Sequence, residues 1–267
     1  MPGQSYRILI ADDNLVNHKL IQRILAKMNH KVVSVYNGYE VLQSLQYDQF
    51  DFILMDIQMP ELDGLMTTSQ IIATFGPINR PVIIAMTANN TISDREECFR
   101  AGMDDYLSKP IIIKELEDKL DYWGRQLGKD RRQMKKLPAL DHRQNQVISL
   151  LRIHELRSFE PDQAALLELY EVFISRCQTQ LQKLQHDWIQ NNIEGMRESS
   201  HGLRGSSLNY GAIQVAELLE LLEDRLQSGH LHHIPDLLNQ LKASVDITNQ
   251  EIIAFIQSSC SSSSWRK

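Results

Sequence analysis

Five short runs rich in β-branched residues, each followed by an amphipathic stretch, fill the first half of the chain. Beyond Pro138 they give way to apolar residues spaced by three and four. That change of period restricts the fold more than any other feature, because a spacing near two belongs to strands and one near 3.6 to helices. The runs are Arg7-Ile-Leu-Ile-Ala11, Lys31-Val-Val-Ser-Val35, Phe50-Asp-Phe-Ile-Leu-Met55, Pro81-Val-Ile-Ile-Ala85 and a weaker Asp105-Tyr-Leu107. Strand–helix units in series predict a doubly wound α/β domain over 6–123, a five-stranded parallel sheet covered on both faces. Reactive groups in such a sheet collect at the carboxyl ends of its strands.

The second half predicts an all-α antiparallel four-helix bundle over 140–257. Leu166, Tyr170, Phe173, Cys177, Leu181, Leu184 and Trp188 form one stripe, and Ile193, Met196, Ser200, Leu203, Ser207 and Tyr210 a second. Val215, Leu218, Leu222 and Leu226 form a third, and Ile234, Leu237, Leu241, Val245, Thr248, Ile252 and Phe255 a fourth. Residues 124–139 contain Arg125, Lys129, Arg131, Arg132, Lys135 and Lys136 and read as a solvated basic linker. Leu116, Leu120, Trp123, Leu127, Met134 and Leu137 keep a heptad-like spacing that would instead prolong the preceding helix as a coiled coil, against which Gly124, Gly128 and Asp130 count. The Ser-rich residues 258–267 read as a frayed tail.

Hydrophobic residues at 42% and charged residues at 23% are of ordinary globular proportion. The formal charge of −6 gives no overall basic field, so nucleic acid is not an expected partner. Cys98, Cys177 and Cys260 are far apart, which suggests neither a disulfide framework nor a zinc site and points to a reducing, cytoplasmic setting. No window reaches the roughly 18 apolar residues of a membrane span, and no apolar signal region follows Met1, so membrane insertion is not expected.

Asp12 and Asp13 end the first run and Asp56 the third, so a doubly wound sheet brings three acids to one edge. Packed together they repel unless a cation or a proton joins them, and oxygen-only ligands favour Mg²⁺. Thr87 ends the fourth run and Lys109 follows the fifth. A carboxylate nucleophile, divalent metal, hydroxyl and lysine are the parts needed to accept a phosphoryl group. Singly, each has a plain explanation as a helix cap, a strand-end hydroxyl or a surface charge. Their joint placement at successive strand ends is what argues for a site.

Ile8-Leu-Ile-Ala-Asp-Asp-Asn14, Leu54-Met-Asp-Ile-Gln-Met-Pro-Glu-Leu-Asp-Gly64, Met86-Thr-Ala-Asn89 and Ser108-Lys-Pro110 resemble the response-regulator receiver family, whose fold is flavodoxin-like, along residues 6–123. The resemblance implies that Asp56 is the phospho-acceptor, and that Asp13 and Asp56 ligate Mg²⁺ with the carbonyl of Gln58. Asp12 would orient metal-bound waters, and Thr87 and Lys109 would engage the phosphoryl oxygens. Thr87 and Tyr106 stand where the family has a coupled switch, though Tyr106 reads equally well as a packing residue.

In the helical half, His201 lies one position round from the stripe of Met196, Ser200, Leu203 and Ser207, hence on or near the exposed face. Gly205 lies four residues on, leaving clearance above the imidazole, and Arg197 and Arg204 flank the patch. A mid-helix glycine costs about 1 kcal/mol relative to alanine, and Gly202 adds a second. Such an imidazole is suited to carry phosphate and meet another protein's carboxylate. His230, His232 and His233 read as ordinary surface residues. Ser200-His-Gly-Leu-Arg-Gly-Ser-Ser-Leu-Asn-Tyr-Gly-Ala212 is similar to the signature of the histidine-containing phosphotransfer (HPt) family over about 140–257. Where that family usually has lysine this chain has Arg204, which keeps the charge but is planar and bidentate.

The two resemblances imply a two-component phosphorelay protein like the carboxyl-terminal part of a hybrid sensor kinase. A sensor histidine kinase would phosphorylate Asp56, phosphoryl groups would pass between receiver aspartates and His201, and a downstream response regulator would receive them. Receiver dimerisation stays open. Neither half contains a glycine-rich nucleotide loop, so the chain reads as a non-kinase whose receiver catalyses its own Mg²⁺-dependent phosphorylation and dephosphorylation. A Mg²⁺-dependent phosphatase would need a further carboxylate as general acid, which no motif supplies. A regulator acting by contact alone, with His201 idle, is the other alternative.

Overall fold

In the computed structural model, residues 4–76, 78–88, 92–127 and 148–258 are described. They fall into two compact units, dividing between Arg143 and Gln144. The first alternates β1 (Arg7–Ala11), α1 (Leu15–Lys27), β2 (Lys31–Val35), α2 (Gly38–Tyr47), β3 (Phe52–Asp56), α3 (Gly64–Phe75), β4 (Val82–Thr87), α4 (Ile92–Ala101), β5 (Asp105–Ser108) and α5 (Ile113–Gly124). The strands form one parallel sheet in the order β2-β1-β3-β4-β5. Every residue of β3 and β4 is buried, the pattern of strands covered on both faces. Asp56 and Thr87 are the last residues of β3 and β4, at the strand ends where the sequence places them.

α5 is held to β5 by a buried polar cluster as well as by apolar packing. Asp105 accepts from Lys119 Nζ at 2.7 Å and from Trp123 Nε1 at 2.7 Å. The helix ends at Gly124, which lies against the ring of Tyr6: an added Cβ there would stand 1.9 Å from the hydroxyl oxygen. The heptad-like spacing therefore does not carry α5 onward through 125–127, which form a turn. The rest of the basic stretch, 128–139, and residues 259–267 of the Ser-rich tail lie outside the described residues.

The second unit contains α6 (Ile148–Phe159), α7 (Gln163–Ile189), α8 (Ile193–Asn209), α9 (Ile213–Ser228), a 3-10 turn (Leu231–His233) and α10 (Ile234–Ser258). α7 packs on α8, α8 on α9, α9 on α10 and α10 back on α7, which closes a four-helix bundle. Asp162 and Asn192 cap α7 and α8 through their side chains. Phe173 stacks on Tyr210 with centroids 4.8 Å apart, and Tyr170 meets Tyr210 edge-on. In the third stripe it is Leu219, not Leu218, that is fully buried.

α6 is an addition to the four helices read from the sequence. It buries Arg152, Ile153, Leu156 and Glu160 of its own segment, so its inward face is half polar and leaves no apolar stripe to detect. The buried Arg152 donates from Nε to the carbonyl of Asn209 at 2.9 Å, satisfying an acceptor at the carboxyl end of α8. Among the described residues no helix is long and apolar enough to cross a membrane.

Candidate functional site

The sheet order reverses between β1 and β3, which opens a crevice outside their carboxyl ends. Asp12 and Asp13 follow β1 and Asp56 ends β3, and one carboxylate oxygen from each lies within 4.8 Å of the others. Two unit charges about 4 Å apart repel by roughly 4 kcal/mol at an effective dielectric near 20. Asp12 has no exposed surface and Asp56 3%, so solvent screens little of that repulsion.

Lys109 answers part of it. Its ammonium lies 2.6 Å from Asp56 Oδ2 and 3.1 Å from Asp12 Oδ2. Burial alone would lower the pKa of Lys109, but the charges of Asp12 and Asp56 and hydrogen bonds to both outweigh burial and shift it upward. One ammonium against three carboxylates leaves a formal charge of about −2, which a divalent cation balances. Oxygen donors with a partly exposed Asp13 among them suit Mg²⁺, so the donor set fits the ion.

Thr87 is buried at the end of β4, paired in register with Ser108, and its carbonyl accepts from the backbone N–H of Lys109 at 2.7 Å. Gln58 is exposed in the turn after β3, its backbone N–H 3.4 Å from Asp56 Oδ1. Asp12, Asp13, Asp56, Thr87, Lys109 and Gln58 are thus gathered at one edge. Gly64 matters there because α3 begins against the main chain of Asp56, where a Cβ on residue 64 would be 2.1 Å from the Asp56 carbonyl oxygen. Gly64→Ala is expected to cost about 1–3 kcal/mol as an overpacked contact. It should also displace Asp56 and slow its phosphorylation, measured by thermal unfolding and by acetyl phosphate labelling.

Tyr106 points inward already. It is 5% exposed, meets Phe99 of α4 edge-on at 5.9 Å, and lies under the guanidinium of Arg95 at 4.7 Å and the ammonium of Lys119 at 5.3 Å. The ring is therefore packed between side chains of α4 and α5.

On α8, His201 keeps 18% of its side chain exposed while Met196, Ser200, Leu203 and Ser207 are fully buried. Its surroundings differ from the expectation. Arg204, read as flanking an open patch, is 5% exposed and turned onto α9, its Nε 3.2 Å from Glu223 Oε2 and its Nη1 3.9 Å from Glu220 Oε1. Gly205, read as open clearance, is buried. α8 packs against both α7 and α9, so more of its circumference is covered than a single apolar stripe implies. Arg197 donates to the carbonyl of Leu226 at 2.9 Å and pairs with Glu194 at 3.4 Å.

Glu223 is the residue that the sequence reading passed over. Its Oε1 lies 3.7 Å from His201 Nδ1. One carboxylate so placed faces Nδ1 of the imidazole and the guanidinium of Arg204 together. The available signal was the pair Glu220 and Glu223, an i, i+3 acidic pair beside the stripe of a helix that had to pack near His201.

A family model described as the response regulator receiver domain matches residues 8–121, and one described as the Hpt domain matches 168–251. The sensory/regulatory protein RpfC of Xanthomonas campestris is 29% identical over 97% of this chain and 36% of its own length. The sensor protein GacS of Pseudomonas syringae is 28% identical over 92% of this chain and 27% of its own. The chain thus spans about a third of the length of these two relatives. Among solved structures, the receiver domain of the sensor histidine kinase PA1611 from Pseudomonas aeruginosa, with magnesium in its active-site cleft, is 39% identical. It covers 45% of this chain and 98% of that one, with a TM-score of 0.42.

Proposed function

Because this chain joins a response-regulator receiver domain to an Hpt domain, the modules of a two-component phosphorelay, we propose that Asp56 and His201 are successive phosphoryl carriers within it. The observation that carries the reading is the buried ammonium of Lys109 shared between Asp12 and Asp56, beside a third acid. Phosphohistidine of a sensor histidine kinase is the donor. An Asp56 oxygen attacks phosphorus as the P–N bond breaks, giving an acyl phosphate and returning the electron pair to the donor imidazole. Lys109 and Thr87 hold the new charge on the phosphoryl oxygens. Asp13, Asp56 and the Gln58 carbonyl would hold Mg²⁺, and Asp12 would orient its waters. When bound, Mg²⁺ supplies positive charge against the phosphoryl oxygens.

In the second step the Nε2 lone pair of His201 attacks the phosphorus of an aspartyl phosphate, the P–O bond breaks, and the carboxylate leaves. Glu223 steadies the imidazolium that forms, through Nδ1, and Arg204 supplies charge near the phosphoryl group. A receiver domain of a downstream response regulator takes the group from His201. Thr87 and Tyr106 couple the phosphorylated state to the α4–β5–α5 face.

Hydroxylamine tests the first carrier, since it releases acyl phosphate and leaves phosphohistidine. Label from acetyl phosphate that resists hydroxylamine in a His201→Gln chain would contradict the reading of Asp56. Glu223→Gln keeps the shape of its side chain and removes the charge facing His201. Transfer to His201 is expected to slow about tenfold or more in rapid-quench measurements, with the unfolding temperature nearly unchanged.

A further inference from the structure

The first turn of α1 holds a polar side chain that the phosphoryl chemistry above does not use. Asn17 is 1% exposed, in a helix that also buries Val16, His18, Leu20, Ile21, Ile24 and Leu25. Asparagine is a poor helix former, and a buried amide is tolerated only when hydrogen-bonded. What it meets explains its presence. Nδ2 of Asn17 lies 3.0 Å from Oδ1 and 2.9 Å from Oδ2 of Asp12, straddling the carboxylate. The backbone N–H of Asn14 donates to Oδ1 at 2.9 Å, and Lys109 donates to Oδ2 at 3.1 Å. Asn17 is thus one of two donors to each oxygen of a fully buried carboxylate.

A carboxylate without solvent needs donors in place of water. Of those around Asp12, the ammonium of Lys109 is the one shared with the acceptor, at 2.6 Å from Asp56. If the amide were absent, Asp12 would compete harder for that ammonium. We infer that Asn17 is a positioning residue for the carboxylate site: it clamps Asp12 behind the divalent cation and so keeps Lys109 on Asp56. The inference rests on reading the cluster as a Mg²⁺ site. It also separates the roles of the three acids, since Asp12 is committed to donors from α1 and β5 while Asp13 and Asp56 remain for the ion.

Calorimetric titration of the full chain with MgCl₂ tests it. Asn17→Leu removes the amide at similar size, and Asn17→Ala packs nothing new against Asp12. Both are expected to bind Mg²⁺ about 10- to 100-fold more weakly than the wild type, the usual effect of losing an outer-sphere partner. Their labelling by acetyl phosphate should stay slow even at saturating Mg²⁺, because Lys109 has moved toward Asp12. Leu20→Ala, a core truncation on the same face, should lose stability in urea yet keep wild-type Mg²⁺ affinity. Should one Asn17 variant fail to fold, the other decides. Wild-type affinity in the Asn17 variants, or an equal loss in Leu20→Ala, overturns the inference while leaving the Mg²⁺ site intact. A wild-type chain that takes up no Mg²⁺ overturns the reading of the site and this inference with it.

Discussion

Asp56→Asn is expected to reduce labelling of the receiver by acetyl phosphate to background. An amide oxygen cannot form the acyl phosphate; of the neighbouring acids, Asp12 is enclosed by Asn17, Asn14 and Lys109, and Asp13 is read as a ligand to the ion. The fold should survive, because Lys109 retains Asp12 at 3.1 Å and is not left as an unpaired buried charge. EDTA should have the same effect as the substitution, and Asp13→Ala likewise, since the acids otherwise repel the incoming phosphoryl group. Labelling of Asp56→Asn at the wild-type rate, or labelling indifferent to EDTA, would sink the assignment of this site.

The second large effect is expected at His201. His201→Gln should accept no acid-labile phosphate from any phosphorylated receiver, while the circular dichroism and unfolding temperature stay near wild type. The residue is partly exposed, and glutamine is a good helix former of similar size. Two other described histidines, His230 and His233, lack its setting. His230 contacts Ser228, and His233 faces Asp236 at 3.8 Å with both side chains three-quarters exposed. An exposed pair of that kind contributes little order. Acid-labile label retained by His201→Gln would move the carrier elsewhere and leave regulation by contact as the better account.

The sheet and the gathering of Asp12, Asp13, Asp56, Thr87 and Lys109 were legible in the sequence because strand period and chain order decide them: parallel strands in series send their carboxyl ends to one edge. What stayed hidden depends on contacts between elements. Asn17 is a helix residue whose partner follows β1, so neither period nor propensity marks it. The sequence puts Arg204 beside the His201 patch, but the acids of α9 draw it under cover, and only the α8–α9 packing tells that. α6 escaped for the same reason, its buried Arg152 being paid for by a carbonyl of another helix. Glu223 shows the general case: an acid one step off an apolar stripe is ordinary until the neighbouring helix turns out to carry a histidine.

The most direct test of the central claim follows one label through the wild-type chain. The protein is phosphorylated with labelled acetyl phosphate and Mg²⁺, freed of donor, and sampled over time for acid-stable, base-labile phosphate and for acid-labile, base-stable phosphate. Passage from Asp56 to His201 predicts that the first pool falls as the second rises, and that the second is missing from both Asp56→Asn and His201→Gln. If all the label remains base-labile until it is lost as inorganic phosphate, or if Asp56→Asn acquires acid-labile label from acetyl phosphate as readily as the wild type, the two residues are not successive carriers.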